Sequence, residues 1–218
     1  MTSLNLYFVR HGQTYLNRYH RLQGWADSAL TDKGITDAID AGKHLSKINF
    51  DKAYSSDTKR ARDTAELILK ENPSGLIEPI EMENLREENF GYFEGNDMGQ
   101  VWHIIGGPSG ADSYSQMIAT YTMEKTRDMI ADADPYGDAE NDSQFWQRVQ
   151  TGLDEIVNNA EDGDDILITA HGTFIRSIVS RFSDIDISDP IHNGSVTKIE
   201  YKDGDYVVKY YNNISDPV

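Results

Sequence analysis

Tyr7-Phe8-Val9-Arg10-His11-Gly12 closes an apolar run that starts at Leu4 and places an Arg and a His at its exit. Leu4 to Val9 reads as a buried strand, and parallel α/β sheets bind their ligands outside the carboxyl ends of their strands. An imidazole can act as nucleophile or proton carrier, and a guanidinium presents a planar fork of donors that matches phosphate oxygens. Phosphoryl transfer through His11 is therefore the first reading. The motif has an echo: Asp165 to Ala170 is a strand of the fully buried kind, followed by His171-Gly172 and a helix through Arg181.

Between these two strands the periodicities give the rest of an α/β fold. Residues 10 to 30 form a polar loop too long for a mere connector, and such loops tend to carry function. Thr31 caps a helix from Asp32 to about Ile48, with Ile35, Ala38, Ile39, Ala41 and Leu45 on one face. Lys52 to Ser55 reads as a strand, Ser56 or Asp57 as the cap of a helix to about Glu71, and Leu76 to Ile80 as another strand before the turn-like segment Leu85 to Gly95. Residues 96 to 141 break the pattern. Gly106-Gly107-Pro108-Ser109-Gly110 separates two weakly helical pieces, and Asp132 to Asp142 is acidic and irregular, which reads as an inserted lid over the sheet edge. A helix from Ser143 to about Asn159 carries Phe145, Val149, Leu153 and Ile156 at helical spacing. Ser195 to Tyr201 and Asp205 to Tyr211 alternate like an antiparallel hairpin.

The chain has 218 residues, 38% of them hydrophobic, with a net charge of -17 and no cysteine. That size supports one domain with a proper core. The negative balance argues against nucleic acid or an anionic membrane as partner, because both require a basic surface. A phosphate pocket would have to be a local cationic island. No thiolate chemistry or disulfide framework is available, no signal-like or membrane-spanning run appears, and a cytoplasmic location is the default expectation. The oligomeric state stays open, a dimer being compatible.

A series of ordered motifs carries a resemblance. Arg10-His11-Gly12 stands with Thr14 and Asn17; Leu22-Gln23-Gly24-Trp25 with Asp27, Leu30, Thr31 and Gly34; Tyr54-Ser55-Ser56 with Lys59-Arg60-Ala61, Thr64, Ala65 and Glu66. Leu85-Arg86-Glu87 with Phe90-Gly91 and Glu94-Gly95, Arg148-Val149, Ala170-His171-Gly172 and Asn193-Gly194-Ser195 follow. From about Leu6 to Tyr201 the chain resembles the histidine phosphatase superfamily, the phosphoglycerate mutase-like proteins. The resemblance implies a three-layer α/β/α sandwich, with a mostly parallel sheet, an antiparallel C-terminal hairpin and an inserted helical lid. It also implies a phosphohistidine intermediate and no metal or other cofactor.

Residue chemistry points the same way. A phosphate monoester is a dianion, so a neutral imidazole can attack it only among several cations or donors. Arg10, Arg60 and His171 are the candidates. Arg60 lies on the border of a buried stripe with Thr64 and Leu67, where an Arg is unusual without an anion to meet, whereas Arg62 faces Glu66 as an ordinary solvated pair. His171-Gly172 before a helix start would also aim backbone donors at phosphate. One carboxyl can protonate the departing alcohol and then deprotonate water. The resemblance places that role on Glu87, with adjacent Glu88 as the acid that faces solvent. Asn17, Gln23, Gly24 and Thr14 either bind phosphate or tie down the loop, and Ser55 either orients His11 or ends its strand. His44 and His192 read as ordinary surface and turn residues. His20 and His103 could touch substrate, and Trp102, Tyr114, Tyr121 and Trp146 could wall the leaving group. No metal-ligand spacing appears.

Mutases resembling this chain carry an Arg directly after the catalytic Glu, a Lys after the Gly that closes that segment, and an Arg pair further on. Here Glu88 and Asn96-Asp97-Met98 stand instead, and residues 96 to 124 contain no Lys or Arg. This favours water as acceptor and a small phosphorylated metabolite as substrate. A bisphosphoglycerate-dependent mutase and an inactive phospho-ligand binding module are the alternatives, although neither His11 nor Glu87 is missing as the latter would lead one to expect.

Overall fold

The strands β1 (Ser3–Arg10), β2 (Lys52–Ser56), β3 (Ile80–Met82), β4 (Asp165–Ala170), β5 (Val196–Lys202) and β6 (Asp205–Asn213) form one sheet in the order β3-β2-β4-β1-β5-β6. This is a computed structural model, and it describes residues 2–218. β3, β2, β4 and β1 run parallel, while β5 is antiparallel to β1 and β6 to β5. The turn between β5 and β6 puts Asp203 and Gly204 at φ of 50° and 105°, the left-handed pair that a tight hairpin needs.

The strand period of two assigns the core residues to two layers. Leu4, Leu6 and Phe8 pack with Phe145, Val149 and Leu153 of α7 (Asp142–Asn158) and with Phe174 and Ile178 of α8 (Gly172–Phe182). Tyr7 and Val9 point the other way, to Ala41 of α2 (Asp32–His44) and to Ile68 and Leu69 of α3 (Lys59–Lys70). Phe8 is fully buried, so Phe8→Ala is expected to lower unfolding free energy by about 3–5 kcal/mol. Urea midpoints at unchanged slope check this, and a loss below about 1 kcal/mol would contradict the described burial.

Several boundaries differ from the sequence expectation for identifiable reasons. α2 stops at His44 instead of Ile48, because Nδ2 of Asn72 donates to the carbonyls of Leu45 and Ile48 at 3.1 and 2.9 Å and ends the helix from outside. α3 is capped at Thr58, and Ser56 instead accepts the Thr58 amide through Oγ in the preceding turn. The third strand is Ile80–Met82, paired with Tyr54–Ser56, while Ile77 lies exposed. Inside the 10–30 loop a single helical turn, α1 (Tyr15–Arg18), was not expected; Thr14 and Asn17 close it with a reciprocal capping box.

Residues 96–141 hold three helices where two weak pieces were expected, α4 (Met98–Ile105), α5 (Tyr114–Tyr121) and α6 (Met123–Ala133). Val101, Trp102, Met117 and Ile130 of these helices form a cluster of their own with Leu22, Phe90 and Phe93. Among the described residues no helix is long and apolar enough to cross a membrane.

Candidate active site

β1 and β4 are neighbours in register, with Arg10 opposite Ala170. The residues that follow the two strands therefore emerge side by side, and the rings of His11 and His171 lie 5.2 Å apart although 160 residues separate them. The turn after His11 needs glycine: a Cβ on Gly12 would sit 2.1 Å from the Gly34 carbonyl oxygen. Three bonds steady this turn. The Gly12 amide donates to Thr64 Oγ1 at 3.0 Å, Thr64 Oγ1 donates to the Arg60 carbonyl at 2.7 Å, and Asn193 Nδ2 donates to the His11 carbonyl at 2.8 Å.

These contacts settle the tautomer of His11. Its Nδ1 lies 2.8 Å from the Gly12 carbonyl oxygen, so Nδ1 carries the proton and Nε2 the lone pair. Arg60 Nε donates to that Nε2 at 3.3 Å. Burial, then Arg60, then Arg10 hold the imidazole pKa well below its ordinary 6.5, leaving a neutral ring at pH 7. The same logic fixes His171. Arg60 Nη2 donates to its Nδ1 at 3.1 Å, so Nε2 is the N–H, and that buried atom has no partner. Burial first and Arg60 next lower this pKa too. A neutral imidazole therefore stands beside an unoccupied donor.

Arg60 is fully buried. It survives there as a cation because the loop of residues 24–27 surrounds it with acceptors: Nη2 donates to the Gly24 carbonyl at 2.6 Å, and Nη1 to the Ala26 carbonyl at 2.9 Å and to Asp27 Oδ1 at 3.0 Å. Turned so that both its amide atoms are satisfied, Gln23 accepts from Arg60 Nε at 2.9 Å and donates to Thr14 Oγ1 at 2.6 Å. Arg10 donates through Nη1 to the Ile191 carbonyl, while its buried Nε has no partner. A Cβ on Gly172 would come within 3.2 Å of that Nε, so glycine leaves room for the guanidinium. Desolvation and the nearby arginines lower the Arg10 pKa to about 10, opposed by Glu87, so it remains charged at neutral pH.

Glu87 sits over the start of α8. Its Oε2 accepts from the Thr173 amide at 2.8 Å, and its Oε1 from the amides of Phe174 at 2.7 Å and Glu88 at 3.0 Å. Burial raises its pKa against these hydrogen bonds and the attraction of Arg60. The helix start therefore does not offer all its first amides to phosphate, as the sequence led one to expect; those of Thr173 and Phe174 hold the carboxylate of Glu87. Glu88 does not face solvent either. It is fully buried and paired with Arg127 at 3.2 Å, and Arg127 also binds Asp142 and donates to Ser177 Oγ at 2.7 Å. Desolvation raises Glu88 to about 7.

A cavity of about 300 Å³ opens beside this cluster, with Arg10, Asn17, Gln23, Glu87 and Gly172 at its walls. Asn17 accepts the Thr14 amide through Oδ1, leaving its Nδ2 as the group that can reach a ligand. Thr14 is fully buried and bonded within the loop, and Gly24 acts through its carbonyl on Arg60, so both tie the loop down. Ser55 does not orient His11: its buried Oγ has no partner, because the Gly12 carbonyl already holds the imidazole. Of the proposed aromatic wall, Trp102 and Tyr114 line the cavity. Trp146 instead packs edge-on against Phe145 in the sheet core, and Tyr121 is absent from the lining.

The other histidines stay away from this cavity. His103 is exposed beside Asp112, His20 turns through φ 54° in the loop, and His44 bonds the Asp216 carbonyl. His192 borders a larger cavity of about 780 Å³ near Asp37 and Asn212, which shares Arg10, Pro190 and Ile191 with the first but not Glu87. Sequence reasoning missed the supports: Asp27, which clamps Arg60; Glu94, whose carboxylate accepts the amides of Gly24, Trp25, Ala26 and Phe90; and Arg148, which donates to the carbonyls of Asn84, Arg86 and Glu87. All three stood inside the quoted motifs, but Glu94 and Arg148 act on backbone amides and carbonyls that have no signature of their own, and Asp27 meets Arg60 only through the tertiary fold.

The model of the histidine phosphatase superfamily (branch 1) matches residues 6–214. A 2,3-bisphosphoglycerate-dependent phosphoglycerate mutase of Streptococcus thermophilus is 32% identical over 209 residues, covering 85% of this chain and 88% of the relative. The metal-independent phosphoserine phosphatase of Arabidopsis thaliana is 27% identical over 208 residues, covering 95% and 80%. The crystal structure of phosphoglycerate mutase from Bacillus anthracis superposes with a TM-score of 0.91 at 36% identity, over 98% of this chain and 94% of that one. With the paired histidines, the buried arginine between them and a family match that spans almost every residue, this chain belongs to the histidine phosphatase superfamily.

Proposed function

We propose that the protein is a phosphomonoester hydrolase. His11 Nε2 attacks phosphorus, the N–P bond forms as the P–O bond to the leaving group breaks, and Glu87 gives its proton to the departing oxygen. Water then attacks the phosphohistidine, Glu87 takes a proton from it, and the N–P bond breaks to release phosphate and regenerate His11. Arg10 and the Nε2–H of His171 have donors free for the phosphoryl oxygens, and Arg60, whose N–H groups are all held by protein acceptors, adds its buried positive charge, so that the charge distribution is stabilised best in the transition state. An arriving dianion adds to the desolvation that already raises Glu87, which favours the protonated acid.

One observation carries hydrolysis over mutase activity. In residues 96–141 the cations are Lys125, which is exposed, and Arg127, which is buried and neutralised by Glu88 and Asp142. The inserted segment thus contributes no cation to the lining of the 300 Å³ cavity, where the second phosphate of a bisphosphate primer would have to be held. The mutase reading draws on the names of relatives, and a paired assay separates the two. Hydrolysis of p-nitrophenyl phosphate in the presence of a chelator, without interconversion of 2- and 3-phosphoglycerate when bisphosphoglycerate is supplied, is expected. Interconversion faster than hydrolysis would replace this reading, and inactivity in both assays would leave a binding module.

The acid role of Glu87 has its own test. Glu87→Gln is expected to slow hydrolysis of alkyl phosphates by roughly 10²–10⁴ and that of p-nitrophenyl phosphate far less, since nitrophenolate leaves without a proton. Wild-type rates on an alkyl phosphate would remove Glu87 from the mechanism.

A further inference from the structure

The phosphoryl end of the 300 Å³ cavity is polar, but the end facing the inserted helices is mainly apolar: Leu22, Phe90, Met98, Trp102, Tyr114 and Ile191 line it, and the hydroxyls of Ser113 and Ser115 there are engaged by the Gln116 amide and the Ser188 carbonyl. We propose that the leaving group is a compact, largely apolar alcohol or phenol, about one ring in size, held between these side chains and above all by Trp102 and Tyr114. The proposal rests on the hydrolysis argued above for the phosphoryl end and adds the class of ester.

The aromatic side chains pack directly on one another and form one continuous wall of the cavity, against which a ring can lie. Trp102 and Tyr114 have centroids 5.2 Å apart at 45°, and Phe90 meets Trp102 edge-on at 6.5 Å and 76°. These side chains belong to the same apolar cluster that organises the inserted segment, so the cavity is an opening in that cluster. Filling it with an apolar group removes further apolar surface from water. A polyol or second phosphate entering there would shed its water without enough donors to replace it. Of the two further cations in the lining, one is largely engaged by backbone carbonyls. Arg176 lines the cavity, but its Nε and Nη2 donate to the carbonyl of Ile187 at 2.9 and 2.6 Å, and its Nη2 to that of Ser188 at 3.1 Å, so it serves the segment leading to Pro190 and Ile191. Arg21 stands at the exposed rim. Trp102 Nε1 and Tyr114 Oη are buried without partners, which gives a ring substituent at most one or two hydrogen bonds to make. At about 300 Å³ the space matches the lower bound for small-molecule sites.

Benzyl phosphate, glycerol 3-phosphate and 3-phosphoglycerate all release alkyl alcohols, so their kcat/KM values compare the slot more than the leaving-group chemistry. Benzyl phosphate is expected to exceed each of the others by about tenfold or more, a difference typical of an apolar pocket. Trp102→Ala is expected to bring that ratio within about threefold, and Trp102→Phe to keep most of it. The ratio cancels general damage to the phosphoryl site, which all three esters share. Calorimetric binding of the same esters to His11→Ala reads the preference without turnover, and benzyl phosphate is expected to bind tightest. Equal or better use of glycerol 3-phosphate overturns the proposal, as does a preference for 3-phosphoglycerate, which would assign Arg21 a second anion. A ratio untouched by Trp102→Ala overturns it as well. If wild type hydrolyses none of these esters, hydrolysis fails as a reading, and the binding order alone decides the slot.

Discussion

His11→Ala is expected to lower turnover by a factor on the order of 10⁴ or more, because it removes the atom to which phosphorus becomes bonded. The loss should not be a collapse of the pocket. Arg60 keeps its bonds to the Gly24 and Ala26 carbonyls and to Asp27, and Arg10 keeps its bond to Ile191. Inorganic phosphate is therefore expected to bind the variant with near wild-type affinity by calorimetry. Wild-type protein quenched in alkali during turnover of a substrate radiolabelled in its phosphoryl group should carry covalent label, and the variant none. Turnover within about tenfold of wild type would mean that water attacks phosphorus directly and that the nucleophile assignment is wrong.

Arg60→Met comes next in size, with an expected fall in kcat/KM of about 10²–10³, the range for losing one preorganised electrostatic contribution to the transition state. The guanidinium also acts on pH dependence, and the sign follows from the ordering of causes. Burial is the largest influence that lowers the His11 pKa, and Arg60 is the next. Only unprotonated His11 can attack, so activity disappears as pH falls through its pKa. In the wild type this acid limb should lie well below 6.5. Without the cation the pKa rises, and the limb should move to higher pH. A fall in rate with an unmoved limb would show that Arg60 acts only by holding the loop of residues 24–27. Asp27, which loses its partner, has a side chain 31% exposed and can rehydrate, but the carbonyls of Gly24 and Ala26 lose a buried donor, so unfolding free energy should fall by about 1–3 kcal/mol.

The parts of this site that were legible in the sequence were those tied to strand exits and helix faces. His11 and His171 each follow an uninterrupted apolar run, and a parallel sheet carries such exits to one edge. Arg60 was legible for a related reason, since its place on the border of the α3 stripe conflicts with its charge. The predicted ion pair of Arg62 with Glu66 is present at 3.8 Å, set by helical spacing alone. Glu88 failed the same kind of inference. Two adjacent acids in an irregular segment have no period to tell which is buried, and the buried partner of Glu88, Arg127, lies 39 residues away. Ser55 failed because the bond it was expected to make to His11 is made by a backbone carbonyl, which has no letter in the sequence.

The succession of the main strands and helices outside the inserted segment, and the sheet edge where His11 and His171 emerge side by side, were legible in the sequence itself, because short-range periodicity and covalent adjacency encode them. The tautomers of both histidines, the anchoring of Glu87 on the amides of α8, the burial of Glu88 with Arg127 and the apolar character of the leaving-group cavity were decided only by tertiary structure. Each depends on which carbonyl, amide or side chain a distant segment brings within hydrogen-bond or van der Waals reach, and distances of that kind come from the packing of the whole chain.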